Sequence, residues 1–275
     1  MDSPGWSLHS PHPALRGIAA RYIGYRQHDG VPEIHRGLPS RHVTLVVALD
    51  EPVRIVDMPG DQSPAALYGL VGGLHTAPAL MAQGRAQTGV QVDLNPLGVR
   101  RLLGVAAYEL AGQVVDLADL GLGELPERLA GAPTWAERFA ILDDVLLTAA
   151  RGEHEPPPEV GHAWRSMLAG TGRVDALARE VGWSRRHLSE RFRREVGLTP
   201  KQAARVLRFE RACETLRRTP GADLAELAVT SGFYDQAHLT NEWRALAGCT
   251  PGTWIGEELP NLQYGDTRPP RDSVA

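Results

Sequence analysis

Over residues 41–94 the apolar positions come in short, β-branched runs, and from Leu97 onward they recur at helical spacing. RHVTLVVAL at 41–49 and VRIVD at 53–57 read as two strands separated by the turn Asp50-Glu51-Pro52. Further strands are expected near 67–72, 78–84 and 88–94, with Gly or Pro between them. Short strands at this spacing predict a small antiparallel sheet or barrel. Residues 1–12 carry few apolar groups and read as loose. Beyond Leu97, spacings such as Val99, Leu102, Leu103 and Ala106, and Trp135, Phe139, Leu142, Val145 and Leu146, predict helices near 97–103, 106–111, 123–130 and 134–150.

The stretch 151–159 holds Glu153, Glu155, Pro156, Pro157 and Pro158 and no apolar side chain suited to a core. It divides the chain into an N-terminal domain at 1–150, a linker at 151–159 and a helical unit at 160–256. A tail at 257–275, with Pro260, Pro269 and Pro270, shows no periodicity and is expected to be disordered. The class is therefore α+β, an N-terminal antiparallel β domain with helices followed by an all-α domain.

The all-α part contains one pattern twice. Residues 177–200 read LAREVGWSRRHLSERFRREVGLTP and residues 227–251 read LAVTSGFYDQAHLTNEWRALAGCTP. Each has Leu-Ala, then Gly-aromatic, then Leu with an aromatic four residues on, then Gly and Thr-Pro. The second copy has one extra residue between Gly232 and Leu239. Each reads as a helix, a tight turn and a second helix, the outline of a helix-turn-helix. In the first copy Gly182 supplies the turn and Ser184 caps a helix from Arg185 to about Val196. Leu188, Phe192 and Val196 face inward, while Arg185, Arg186, Ser189, Glu190 and Arg193 face out. In the second copy Asp235 is the cap. Leu239, Trp243 and Leu246 face inward, and Gln236, Ala237, His238, Thr240, Asn241 and Arg244 belong to the outward or flanking set. A helix from about 200 to 217 joins the copies.

Outward side chains of these types suit a major groove. Arg bonds guanine in two places, Gln and Asn match adenine, Glu accepts from the cytosine amino group, and Ala or the Thr methyl touches the thymine methyl. Charge supports double-stranded DNA as the partner. The net charge is -4, yet residues 160–256 sum to +5, residues 1–159 to -7 and the tail to -2. Residues 173–218 alone sum to +7. A positive unit on an acidic chain is a footprint for phosphate.

On these residues the C-terminal unit resembles the AraC/XylS family of bacterial transcription regulators. The resemblance covers about 160–256. It runs through Leu177-Ala178, Ser184, His187-Leu188, Phe192, Gly197 and Thr199-Pro200, then Arg208, Ala212 and Leu216. In the second unit it runs through Ala228, Gly232-Phe233, Asp235, Gly248, Thr250-Pro251 and Trp254. Departures are Ala203 at an aromatic position, Trp243 for Phe, Asn241 for a frequent Arg, and Ile255 for an Arg. The N-terminal half resembles a less characterised sensor type through VQVDLNPLGVRRLLG at 90–104 and Glu109-Leu110. The resemblance implies a one-component cytoplasmic regulator, usually an activator working with RNA polymerase. Its N-terminal domain would sense an unknown small-molecule effector or oligomerise. The helix near 134–150 offers a homodimer face or simply closes its domain.

Other chemistry is weaker. No apolar run reaches the roughly 18 residues of a membrane span, and no signal peptide is visible. Cys213 and Cys249 read as buried thiols. His35, His42 and His75 fit no compact metal motif, Gly69–Gly73 lacks the Lys-Ser/Thr of a phosphate loop, and Asp143-Asp144 reads as a solvated pair. No nucleophile-base set appears, so no catalytic residue, metal or cofactor is assigned. Two other readings stay open. One is an N-terminal domain that processes a metal or small molecule, fused to a DNA-binding module. The other is an interaction protein that has lost DNA reading, for which Glu190 and the missing Arg at 255 speak.

Overall fold

The computed structural model describes residues 5–28, 34–59, 62–82, 84, 86–150 and 153–257. The N-terminal part contains β1 (Gly5–His9), β2 (Ala19–His28), β3 (Ile34–Gly37), β4 (Val43–Ala48), β5 (Val53–Asp57), β6 (Ala65–Leu67), β7 (Gly69–Gly72), β8 (Ala79–Ala82) and β9 (Ala86–Leu94). After these come α1 (Val99–Leu103), α2 (Ala107–Leu110), β10 (Val114–Asp116), α3 (Leu125–Ala130) and α4 (Trp135–Ala149). The strands form two antiparallel sheets, one ordered β1-β2-β9-β4-β7-β10 and one ordered β3-β8-β5-β6.

The alternation of side chains explains how the larger sheet serves two surroundings. Val43, Leu45 and Val47 of β4 lie opposite Leu94, Val92 and Val90 of β9, and all six are fully buried. This face joins the core that includes Leu102 of α1, Leu125 of α3 and Phe139 of α4. Trp135 packs so closely on β2 that a Cβ at Gly24 would lie 2.6 Å from its ring. The other face carries Thr44, Val46, Gln91 and Asp93 and turns toward the smaller sheet. A second apolar cluster, including Ala48 and Leu70 from the large sheet and Val53, Ile55 and Ala79 from the small one, joins the two sheets.

Several expectations change here. Residues 5–9 are a strand, because their backbone pairs with β2 from Gly5↔Arg26 to His9↔Tyr22 and edge pairing needs few apolar side chains. The run 67–72 is split: Leu67 belongs to the small sheet, Gly69–Gly72 to the large one, and the exposed Tyr68 marks the crossing. β2, β3 and β10 were not announced by the pattern: β2 is held between β1 and β9, and β3 and β10 are short strands held by their partners. Asp143 is not simply solvated; it accepts from the Tyr22 hydroxyl at 2.9 Å and from the His12 amide at 2.8 Å. Asp144 pairs with Arg128 at 3.1 Å.

The C-terminal part is all helix: α5 (Pro158–Leu168), α6 (Val174–Glu180), α7 (Arg185–Val196), α8 (Pro200–Arg218), α9 (Leu224–Ser231), α10 (Gln236–Ala247) and α11 (Pro251–Glu257). α5 starts inside the stretch read as linker, since Pro158 stands at the first helical position, where its missing N–H costs nothing. Glu257, placed in the tail, ends α11; the rest of that tail lies outside the described residues. Cys213 is buried as expected, but Cys249 is only half-buried.

The two parts share one continuous apolar core. α2 packs on α7, and a Cβ at Gly197 would stand 2.9 Å from the carbonyl oxygen of Ala107. Arg41 donates to Glu210 at 2.6 Å and reaches Glu214 at 3.6 Å, Arg36 pairs with Glu257 at 2.9 Å, and His154 meets the buried Glu195 at 2.9 Å.

Candidate nucleic-acid interface

Both repeat copies fold as capped helix pairs. In the first, Gly182 takes φ +71°, a left-handed conformation cheap only without a Cβ. The Ser184 hydroxyl accepts from the His187 amide at 3.2 Å and starts α7. In the second, Gly232 takes φ +86° and Asp235 accepts from the His238 amide at 2.7 Å to start α10. Leu188, Phe192 and Val196 on α7, and Leu239, Trp243 and Leu246 on α10, are fully buried. Ser184→Ala and Asp235→Ala are each expected to lower stability by about 1 kcal/mol, since each strands an amide at a helix start. Urea unfolding of the full chain, compared at equal slope, checks this.

The outward set lies where the pattern put it. Arg185, Arg186, Glu190 and Arg193 are exposed on α7, and Ser189 is half-buried. Gln236, Ala237, Asn241 and Arg244 are exposed on α10, while His238 and Thr240 are half-buried. Two of the outward arginines have carboxylate partners on the protein itself. Arg186 pairs with Glu190 at 3.0 Å along the same helix, and Arg185 with Asp175 at 3.1 Å across the turn. Such exposed pairs are worth little and exchange readily for phosphate or base contacts. Two members do other work. The Thr240 hydroxyl donates to the Gln236 carbonyl at 2.9 Å, and His238 Nδ1 accepts from the Tyr234 amide at 3.2 Å with its ring edge-on to Phe233.

α8 sets one copy against the other. Thr199 and Gln202 form a capping box at its start. Phe209 of α8 stands edge-on to Trp243 of α10 with centroids 4.9 Å apart, and Arg205 binds Glu242. Arg208 lies over the Phe233 ring at 5.8 Å. Sequence reasoning did not single out Tyr234. It is the extra residue of the second copy, and at 88% exposure it stands out beside the start of α10, with Val229 also exposed nearby.

Residues 177–256 match a family model described as a helix-turn-helix domain. This unit is an AraC-type helix-turn-helix domain. Over 78 residues the chain is 35% identical to the HTH-type transcriptional regulator GlxA of Rhizobium meliloti (strain 1021), covering 28% of this chain and 24% of that one. Over 84 residues it is 27% identical to the HTH-type transcriptional regulator MtrA of Neisseria gonorrhoeae, covering 30% and 28%. The aligned parts thus span about a quarter of these curated relatives. The fold as a whole is similar to that of an apo, single-substitution variant of ToxT from Vibrio cholerae strain SCE256, with a TM-score of 0.51 at 10% identity over 90% of this chain and 99% of that one. Among the described residues no helix is long and apolar enough to cross a membrane.

Outside the AraC-type domain, the three histidines set aside on spacing come together. His35, His42 and His75 line one cavity of about 470 Å³ between the two sheets, closed on a third side by α8 and by Trp254 of α11. No three His, Cys, Asp or Glu side chains among the described residues converge as a metal site. Asp93, almost fully buried at its wall, accepts from Arg21 and from Gln91. The one sequence signal for it was the alternation VQVDL, whose polar positions fall on the inner face.

Proposed function

We propose that the chain is a sequence-specific transcription regulator that reads two successive major grooves with α7 and α10 and is controlled by an effector bound in its N-terminal part. The observation that carries the DNA reading is the pair of capped helices with buried Leu-aromatic faces and exposed Arg, Gln and Asn faces, tied together by α8. Arg186 and Asn241 are the base-reading candidates. Arg185, Arg193 and Arg244 serve phosphate or base edges, Ser184 and Ser189 backbone or base, and Glu190 a cytosine. Gln236, Ala237, His238 and Thr240 complete the second surface.

Residues 1–150 form the sensing and oligomerising domain in this reading, and 160–256 the DNA-binding one. The reading brings RNA polymerase in as partner of an activator; α4 buries Phe139, Leu142 and Leu146 in the chain's own core, which favours its closing the N-terminal part over its serving as a homodimer face. Effector control is supported by the cavity, because α8 forms one wall of it and also carries the second reading helix. Selection of bound duplexes from a random pool with full-length protein, at two salt concentrations, tests the reading. An enriched motif of two blocks about 10 base pairs apart is expected. Binding without enrichment that falls steeply with salt means that only phosphates are held and overturns it.

A further inference from the structure

The two carboxylates that line the cavity are both held by arginines. Arg21 holds Asp93, Arg41 holds Glu210, and Arg36 holds Glu257. Arg217, which also lines the cavity, is exposed and lies over the Trp254 ring at 5.7 Å. Much of the remaining wall is apolar, with Ile23, Val46, Met58, Leu70 and Met81. An ion brought into this space would lose its water and find the inner charges already partnered, which is costly.

What the wall does offer is two neutral imidazoles. His75 Nδ1 lies 2.6 Å from the Ala77 carbonyl oxygen. A carbonyl only accepts, so Nδ1 carries the proton and Nε2 of the neutral ring is a bare acceptor. Burial holds this ring below its ordinary pKa. His42 is also held low by burial, against the pull of Asp93 and Glu210. Its Nδ1 is sealed off without a partner, which leaves Nε2 as the ring atom able to meet a ligand. The main chain of His42 is occupied with the Ser40 hydroxyl.

We propose that this cavity takes an uncharged, mainly apolar molecule bearing a hydroxyl or N–H group, which donates to His75 Nε2 while His42 Nε2 supplies a second polar contact. The inference rests on the reading of the N-terminal part as an effector domain and names the chemistry of that effector. Because Glu210 and Cys213 of α8 line the same space, the occupant touches the helix that positions α10.

Affinity selection with mass spectrometry on the full chain tests it. The probe is a small-molecule library in four equal classes: neutral with a donor, neutral without one, anionic and cationic. Cavity-dependent hits are those lost in both Thr44→Phe and Ala79→Phe, two independent fillings of the space, provided each variant keeps a cooperative thermal transition. The expected result is enrichment of the neutral donor class. Methylating the donor should weaken a hit tenfold or more, and His75→Phe should weaken the parent compound but not its methyl ether. Enrichment of anions or cations, equal response of parent and ether to His75→Phe, or no cavity-dependent hit overturns the proposal. Sequence-selective DNA binding without a cavity-dependent hit sinks this inference alone. Neutral donor hits that leave DNA binding unchanged uphold the cavity chemistry and sink effector control.

Discussion

Trp243→Ala is expected to cost about 3–5 kcal/mol of stability, a large part of what an ordinary domain has. The side chain is fully buried and meets Phe209 at 4.9 Å and Trp254 at 5.4 Å, both edge-on, so its loss opens a cavity where α8, α10 and α11 converge. Trp243→Phe is expected to be close to neutral. Its indole Nε1 is buried without a hydrogen-bond partner, so removing that N–H relieves a penalty of about 1–3 kcal/mol that offsets the lost volume. Urea unfolding of both variants separates these outcomes, and an alanine variant with wild-type stability would show that the three helices do not depend on this contact.

The combined substitution of Arg186 and Asn241 by alanine is expected to remove about 2–6 kcal/mol of specific DNA binding. Each base contact is worth about 1–3 kcal/mol, and residues on separate helices without shared partners act additively. The middle of that range is roughly a thousandfold in Kd. Affinity for random duplexes should change far less, because phosphates carry it. The Arg186–Glu190 pair does not protect the site, since an exposed pair spaced four apart on a helix contributes only about 0.3–0.5 kcal/mol. Competition binding with a selected duplex and a random one decides. Equal losses on both would assign these residues to the backbone instead of the bases.

The exposed faces of α7 and α10 were legible because local rules build them. Ser184 and Asp235 cap the helices three residues ahead of the amides they bind, Gly182 and Gly232 turn the chain with positive φ, and Leu-aromatic spacing decides which face is buried. The faces of α7 and α10 follow from a period of 3.6 residues, so the outward residues could be named without any partner element. Tyr234 shows the edge of this legibility. The extra residue could be counted from the repeat, but its projection beside α10 needed the turn itself.

The N-terminal part was legible only in fragments. The β-branched runs announced β4 and β5, whereas β1, β3 and β10 owe their existence to the strands they pair with. Spacing gave no sign that His35, His42 and His75 share a cavity. By itself, then, the sequence determined the tandem capped helices, their buried and outward faces and the basic character of that unit, because contacts a turn apart are written in consecutive residues. The tertiary structure decided the sheet order, the cavity and the seam between the two parts. Its ion pairs join residues 72 apart at Arg21–Asp93 and 169 apart at Arg41–Glu210, and no local period records a contact that only chain folding brings together.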